Sequence, residues 1–302
     1  MKFIPTLSIL FAVTLFLFGC SKKFTNLQKN GTIQEKYVAA LEYYSQEDYY
    51  RAGLLFEEIT PLLRGDSTAE KAQFYSAYCQ FQQRQYQLSS YQFKTFYSTY
   101  NNSPFAEEAF YMYAYSLFKD SPDYNLDQSS SLTAIDALQT FINTYPSSKY
   151  ADQCTNNLFD LRKRLEKKAY EKAKLYYKTN GVTIANFLAA TVAIDNFEKD
   201  FPDSEYLEEL SFIRLLSMYE LAEVSIFRKQ RERYTKSIEL YESFVDKFPT
   251  SSYQKQAVRI YDNANKGLLE VAKTEKLIEE DEKKRAIAKD SVATKPAISS
   301  IK

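Results

Sequence analysis

One spacing of apolar positions recurs five times along the chain. A small residue stands at Ala52, Ser89, Ala134, Ala190 and Ser237. Four residues later come Phe56, Phe93, Leu138, Ile194 and Tyr241, and three further on Ile59, Phe96, Phe141, Phe197 and Phe244. Leu63, Tyr100, Tyr145, Phe201 and Phe248 close each run. Offsets of 0, 4, 7 and 11 hold all four residues on one face of a helix. The small residue admits a partner helix closely, and the bulky ones fill the space beside it. Four of the runs end in a turn that reads aromatic, turn residues, serine and aromatic, as in Tyr145-Pro146-Ser147-Ser148-Lys149-Tyr150 and Phe248-Pro249-Thr250-Ser251-Ser252-Tyr253. The proline stops one helix and the serine is the expected N-cap of the next.

The small residues are separated by 37, 45, 56 and 47 positions. The pattern resembles the second helix of a tetratricopeptide repeat (TPR), whose period is about 34 residues, in stretched form. The extra length has visible sources: a polar loop over 120–130, and first helices that read as continuous over 150–178 and from 204 to about 230. A helical hairpin cannot bury its apolar face alone, so stacked neighbours supply the core. The fold expected is therefore all-α, a TPR-like α-solenoid of five stretched hairpins over 32–253. A long C-terminal helix follows over 254–290, its first half apolar enough to cap the stack. Its second half is charged, with Glu279–Lys283, Glu280–Lys284 and Asp281–Arg285 spaced as i,i+4 pairs, and reads as a solvated helix. Residues 291–302 lack a core pattern and are expected to be disordered.

At the N-terminus, Lys2 precedes an apolar run from Phe3 to Phe18 that closes with Leu17-Phe18-Gly19-Cys20. This is the order of a secretory signal peptide. The run is short of the roughly 20 residues that span a bilayer as a helix; an uncleaved anchor helix is the alternative. Leu17, Gly19 and Cys20 resemble the bacterial lipobox, which implies cleavage after residue 19 and a lipid on Cys20. Residues 20–31 look polar and irregular, a tether able to stretch to roughly 35 Å.

Lysine plus arginine and aspartate plus glutamate both number 39, so no bulk field draws nucleic acid or anionic lipid. Only 6 glycines and 8 prolines punctuate the chain, which agrees with an all-helical reading. Cys79 and Cys154 fall among apolar neighbours in different repeats, as small hydrophobes or, in an oxidising compartment, as a disulfide pair. The absence of histidine removes the commonest general base and zinc ligand. No phosphate loop or nucleophile elbow is present, so no catalytic residue, cofactor or metal site is expected. The carboxylate pairs Glu57-Glu58 and Glu107-Glu108 point about 100° apart on a helix and read as solvated surface.

Several stretches together resemble the BamD family, the lipoprotein component of the machinery that folds β-barrels into the outer membrane of Gram-negative bacteria. They are Glu35-Lys36-Tyr37 through Phe56-Glu57, the turn Tyr145 to Ala151, and Leu161 to Glu166 followed by Tyr176-Tyr177 and Gly181. The resemblance implies a non-enzymatic protein on the periplasmic face of the outer membrane, attached through the lipid on Cys20. Its C-terminal repeats would contact the periplasmic domains of the barrel insertase, and its N-terminal repeats would receive unfolded outer-membrane proteins. Alternatives are a cell-envelope scaffold or a glycan-capturing lipoprotein, the latter disfavoured by the lack of tryptophan. Tyrosines exceed what one apolar stripe buries in the first two hairpins, and amphipathic rings suit extended peptides. Tyr44, Tyr75 and Tyr78 are the candidates for a substrate groove. Arg162, Arg164, Tyr177 and Asn180 are the candidates for a partner surface.

Overall fold

A computed structural model describes residues 22–63 and 65–293. The expected signal sequence, Cys20 and the tail from 294 lie outside the described residues. A short helix α1 (22–30) leads into α2 (Ile33–Ser45), α3 (Tyr49–Ile59) and a 3-10 turn over Thr60–Leu63. Then follow α4 (Ala69–Gln82), α5 (Tyr86–Thr99), α6 (Ala106–Asp120), α7 (Ser129–Thr144), α8 (Ala151–Lys178), α9 (Ala185–Asp200), α10 (Leu207–Glu223), α11 (Phe227–Lys247) and α12 (Gln254–Ala293). Among the described residues there is no strand. The fold is all-α and TPR-like, with five helical hairpins from α2 to α11 and a long last helix.

The repeated spacing builds the core. Ala52, Ser89, Ala134, Ala190 and Ser237 are all fully buried, and so are Ile59, Phe96, Phe141, Phe197 and Phe244 to within 2%. Each closing aromatic rests on the one four residues before it. The ring centroids of Phe96–Tyr100, Phe141–Tyr145, Phe197–Phe201 and Phe244–Phe248 lie 5.1, 5.5, 5.1 and 5.6 Å apart.

The turns between hairpins repeat atom by atom, but the serine is not itself the N-cap. Ser103, Ser148, Ser204 and Ser251 each accept, on Oγ, the N–H of the aromatic two residues on, at 2.9–3.1 Å. The helix starts one residue after that aromatic, at Ala106, Ala151, Leu207 and Gln254. Three of these hydroxyls also donate to a carboxylate in the first turn of the preceding hairpin: Ser103 to Glu70, Ser148 to Glu107 (2.6 Å) and Ser251 to Glu208 (2.6 Å). The serine thus ties two hairpins together while ordering its own turn.

The aromatic after the serine stacks on the first helix of the preceding hairpin. Phe105 meets Phe74 at 4.7 Å, Tyr150 meets Tyr111 at 4.1 Å and Tyr253 meets Phe212 at 4.6 Å. Phe74, Tyr111 and Phe212 each stand four residues after the tying glutamate. In α8 the equivalent place counted from Asp152 is Asn156, yet Tyr206 stacks on Tyr170 at 4.1 Å. The offset of 14 residues is close to four helical turns, so the contact returns to the same face. That insertion is the main source of the longest repeat.

The described residues form two compact units, one ending at Arg164 and the other beginning at Leu165. In the first, Tyr37, Leu55, Phe56, Ile59 and Cys79 make one cluster, and Phe110, Leu138, Phe141, Cys154 and Leu161 make another. In the second, Tyr170, Ile194, Phe197 and Leu210 form a cluster, and α12 closes the α10–α11 hairpin through Ala257, Ile260, Ala264 and Val271. Cys79 and Cys154 are free, buried thiols in separate clusters. Burial pushes both up to about 12, with Glu57 adding to the effect at Cys79. On the charged half of α12, Lys283 reaches Glu279 at 3.0 Å and Arg285 reaches Asp281 at 2.9 Å.

Residues 22–30 differ from the irregular chain expected. They form a helix because Phe24 and Leu27 pack onto the first hairpin and Gly31 ends it. The Gly31 N–H bonds Leu27 O at 2.8 Å, and a Cβ at Gly31 would lie 2.5 Å from that same oxygen.

Candidate functional site

The first helices of the first unit meet side by side through tyrosines. On α2, Tyr44 contacts Tyr75 of α4 with centroids 4.8 Å apart and Tyr49 at 5.5 Å. Tyr75 in turn stacks on Phe56, 6.1 Å away. One turn along α4, Tyr78 packs edge-on against Phe74 and Phe93, each at 5.1 Å. Its hydroxyl reaches out of that packing and donates to Glu108 Oε1 on α6. Tyr44, Tyr75 and Tyr78 are all half-buried, so each gives one side to the hairpin interface and keeps another toward solvent.

Glu108 organises this face. Burial, then the hydrogen bond and charge of Glu108, push the Tyr78 hydroxyl well above its ordinary value. Tyr44 is raised too, first by burial and then by its neighbours. Both phenols stay protonated donors at any physiological pH. Tyr150 sits on the same side, stacked on Tyr111, with Lys149 Nζ 4.8 Å from its ring centroid. The row continues along α6, where Tyr111 stacks on Tyr115 at 5.5 Å and Lys119 lies over Tyr115 at 5.9 Å. Aromatic faces, phenolic donors, one carboxylate and two ammonium groups therefore line one side of α2, α4 and α6. Such a surface stacks on aromatic side chains and hydrogen-bonds extended backbone.

Glu107 and Glu108 are half-buried hydrogen-bond acceptors, not solvated surface, because their donors Ser148 and Tyr78 come from neighbouring hairpins. Glu57 likewise accepts from Gln80 Nε2 at 2.5 Å, and Glu58 pairs with the buried Lys36. The recurrence of glutamate one residue into a first helix, at Glu70, Glu107 and Glu208, is the signal for the turn-tying role.

The partner-surface candidates have different surroundings. Arg162 is exposed. Arg164 is engaged within the first unit: Nη1 donates to Ser121 O (3.1 Å) and Pro122 O (3.3 Å), Nη2 to Asp160 (2.6 Å), and the guanidinium lies 5.4 Å from the Phe118 ring centroid. It fastens the loop between α6 and α7. Tyr177 and Asn180 belong to the second unit. Tyr177 packs on the cluster around Ile194, its hydroxyl 3.3 Å from Glu220, and burial followed by that carboxylate pushes it up to about 12. Asn180 donates its N–H to Tyr177 O at 3.2 Å just past the end of α8.

A concavity of the first unit, about 560 Å³, opens between α3, α4 and α5. Glu57, Gln73, Ser76, Tyr91 and Gln92 are among its lining residues, and none of the candidates above is. Among the described residues no group of three or more His, Cys, Asp or Glu is placed to hold a metal, and no helix is long and apolar enough to cross a membrane.

The YfiO family, described as outer membrane lipoprotein, matches residues 29–186 and 183–287. The outer membrane protein assembly factor BamD of Caulobacter vibrioides is 24% identical over 167 residues, 55% of this chain and 54% of that protein. The chain thus spans about half the length of this curated relative. A solved chain from a computational design of self-assembling cyclic homooligomers covers 84% of this chain and 91% of itself at 14% identity, with a TM-score of 0.19, which carries no argument.

Proposed function

Because the chain belongs to the YfiO family of outer membrane lipoproteins, we propose that it is a non-catalytic subunit of the machinery that assembles β-barrel proteins in the outer membrane. In this reading Cys20 carries the lipid and holds the protein on the periplasmic face. The tyrosine face of the first unit receives unfolded outer-membrane proteins, and the second unit meets the periplasmic domains of the barrel insertase. The assembly-factor name of the Caulobacter relative supports the role.

The observation that carries the substrate side is the row from Tyr44 through Tyr75 and Tyr78 to Glu108 and Tyr150. Half-buried phenols pre-fixed by their neighbours cost little side-chain entropy on binding. Strands of outer-membrane barrels alternate apolar and polar residues and carry aromatic girdles, which gives such a row rings to stack on and backbone to bond.

The test is binding of a fluorescent peptide from an outer-membrane barrel strand to the full chain. Replacing Tyr44, Tyr75 and Tyr78 together by alanine is expected to weaken binding at least about tenfold, or roughly 1.4 kcal/mol. Unchanged affinity in a variant that retains its helical circular dichroism sinks the assignment. Tyr78→Phe keeps the ring and removes the hydroxyl that donates to Glu108, so it separates stacking from hydrogen bonding through that pair.

A further inference from the structure

The helical state of residues 22–30 changes what the anchor does. A coiled tether of residues 20–31 would let the body wander roughly 35 Å from its lipid. Between Cys20 and the start of α1 there is only Ser21. Two residues of extended chain reach about 7 Å, and the headgroup layer of one leaflet is about as thick, at roughly 5–8 Å. With a lipid on Cys20, anything fixed to the beginning of α1 would be held at the membrane surface.

What is fixed there is one particular end of the first hairpin. Phe24 meets Tyr43, near the end of α2, with ring centroids 5.7 Å apart and planes at 80°. Arg51, at the start of α3, lies 5.6 Å from the Phe24 centroid and 5.7 Å from that of Tyr43. Asp48 holds Arg51 in place at 3.0 Å. Leu27 and Gly31 carry α1 away from this point, back toward the start of α2. The beginning of α1 thus adjoins the α2–α3 turn. Around it, Lys22 and Lys23 are exposed and Tyr50 is 63% exposed. A tyrosine flanked by lysines is the side-chain chemistry favoured between lipid and water.

We propose that the α2–α3 turn is a phospholipid-facing surface, clamped to the membrane by α1 with Tyr50, Lys22 and Lys23 in the headgroup layer. The proposal rests on the lipid at Cys20 and goes beyond it by assigning a face of the protein to the bilayer. α1 is then an orienting strut, and the first hairpin meets the membrane through one defined end.

The test uses the full, lipidated protein in vesicles of phosphatidylethanolamine and phosphatidylglycerol. A thiol-reactive fluorophore is placed at Gln46→Cys in the α2–α3 turn or at Leu62→Cys, both exposed. The two probes are separated by α3, which is 11 residues or about 16 Å long. Cys79 and Cys154 are buried and do not compete for the label. A lipid carrying a headgroup quencher is expected to quench the probe at position 46 severalfold more than the probe at 62. Adding Phe24→Ala and Leu27→Ala should erase that difference while the lipid mass on Cys20 persists. Equal quenching at both positions, with the lipid verified by mass spectrometry, overturns the proposal and leaves the anchor standing. Persistence of the difference in the α1 variant overturns the role of α1. Absence of lipid on Cys20 defeats both the anchor and the proposal.

Discussion

Gly267 of α12 lies directly under the ring of Tyr234 of α11: a Cβ at Gly267 would stand 2.6 Å from Cζ of that ring. The ring is 8% exposed and packs with Ala222, Ala264 and Val271, so it has little room to retreat. Alanine at 267 would gain about 1 kcal/mol of helix propensity, against about 1–3 kcal/mol for overpacking. Gly267→Ala is expected to lower the melting temperature. In a Tyr234→Leu background, where the ring is gone, the same change should raise it. Equal effects in both backgrounds would remove the ring as the cause.

Two of the buried small residues are serines with opposite surroundings. Ser89 Oγ lies 3.1 Å from Ala77 O, to which it donates, and 3.2 Å from Ser116 Oγ. Ser237 Oγ is buried without a partner. Ser89→Ala removes a buried hydrogen bond between α5 and α4 and should cost about 1 kcal/mol. Ser237→Ala removes an unsatisfied hydroxyl and is expected to be neutral or stabilising. Denaturant midpoints of the two variants check the contrast, which fails if both shift the same way.

The turns inside the first two hairpins are built alike around a residue in left-handed backbone, Glu47 and Arg84, both at φ 62°. In each, the residue after it bonds back five positions, Asp48 to Tyr43 O and Gln85 to Gln80 O, at 2.9 Å. This is the Schellman arrangement, in which glycine is the usual occupant. Arg84→Gly should stabilise the protein by up to about 1 kcal/mol by removing the Cβ penalty. Urea unfolding measures it, and a loss of stability would contradict the strain.

In the second unit, Glu209 accepts from Lys174 (2.7 Å) and from the Tyr170 hydroxyl (2.5 Å). Burial alone would raise the Glu209 carboxyl, but these two donors outweigh it and hold it below the usual carboxylate value. Its contribution to stability is therefore complete above the ordinary glutamate range and is lost as pH falls through the depressed value. For Lys174, burial opposes the charge, yet Glu209 and Tyr170 raise it overall, so its contribution persists through neutral pH and fades only at high pH. Glu209→Gln should lower the melting temperature at pH 7 and converge on the wild type in acid. A constant offset at every pH would exclude the ion pair as the source.

The five-fold register, the hairpins and the long last helix could be read from spacing alone, because Ala52, Ser89, Ala134, Ala190 and Ser237 must all be small for helices to touch. Helix α1 could not. It offers only Phe24 and Leu27 as apolar positions, and nine residues are too few to hold a helix without the hairpin beneath. Glu107 and Glu108 looked like solvated surface because their donors are 41 and 30 residues away, in other hairpins. For the tyrosines, residue type does not separate interface from groove, since Tyr44, Tyr75 and Tyr78 serve the first with one side and are free for the second with the other. Arg164 shows the same ambiguity for charge: its fork is spent on the Ser121–Pro122 loop and Asp160.

A role in outer-membrane protein assembly is tested by affinity purification of the tagged, lipidated chain from detergent-solubilised envelopes, followed by mass spectrometry. The expected result is stoichiometric recovery of an outer-membrane barrel that carries periplasmic domains. Recovery of peptidoglycan enzymes or a sugar transporter instead, with no such barrel, would contradict the assembly role and leave the repeats as a scaffold for another purpose.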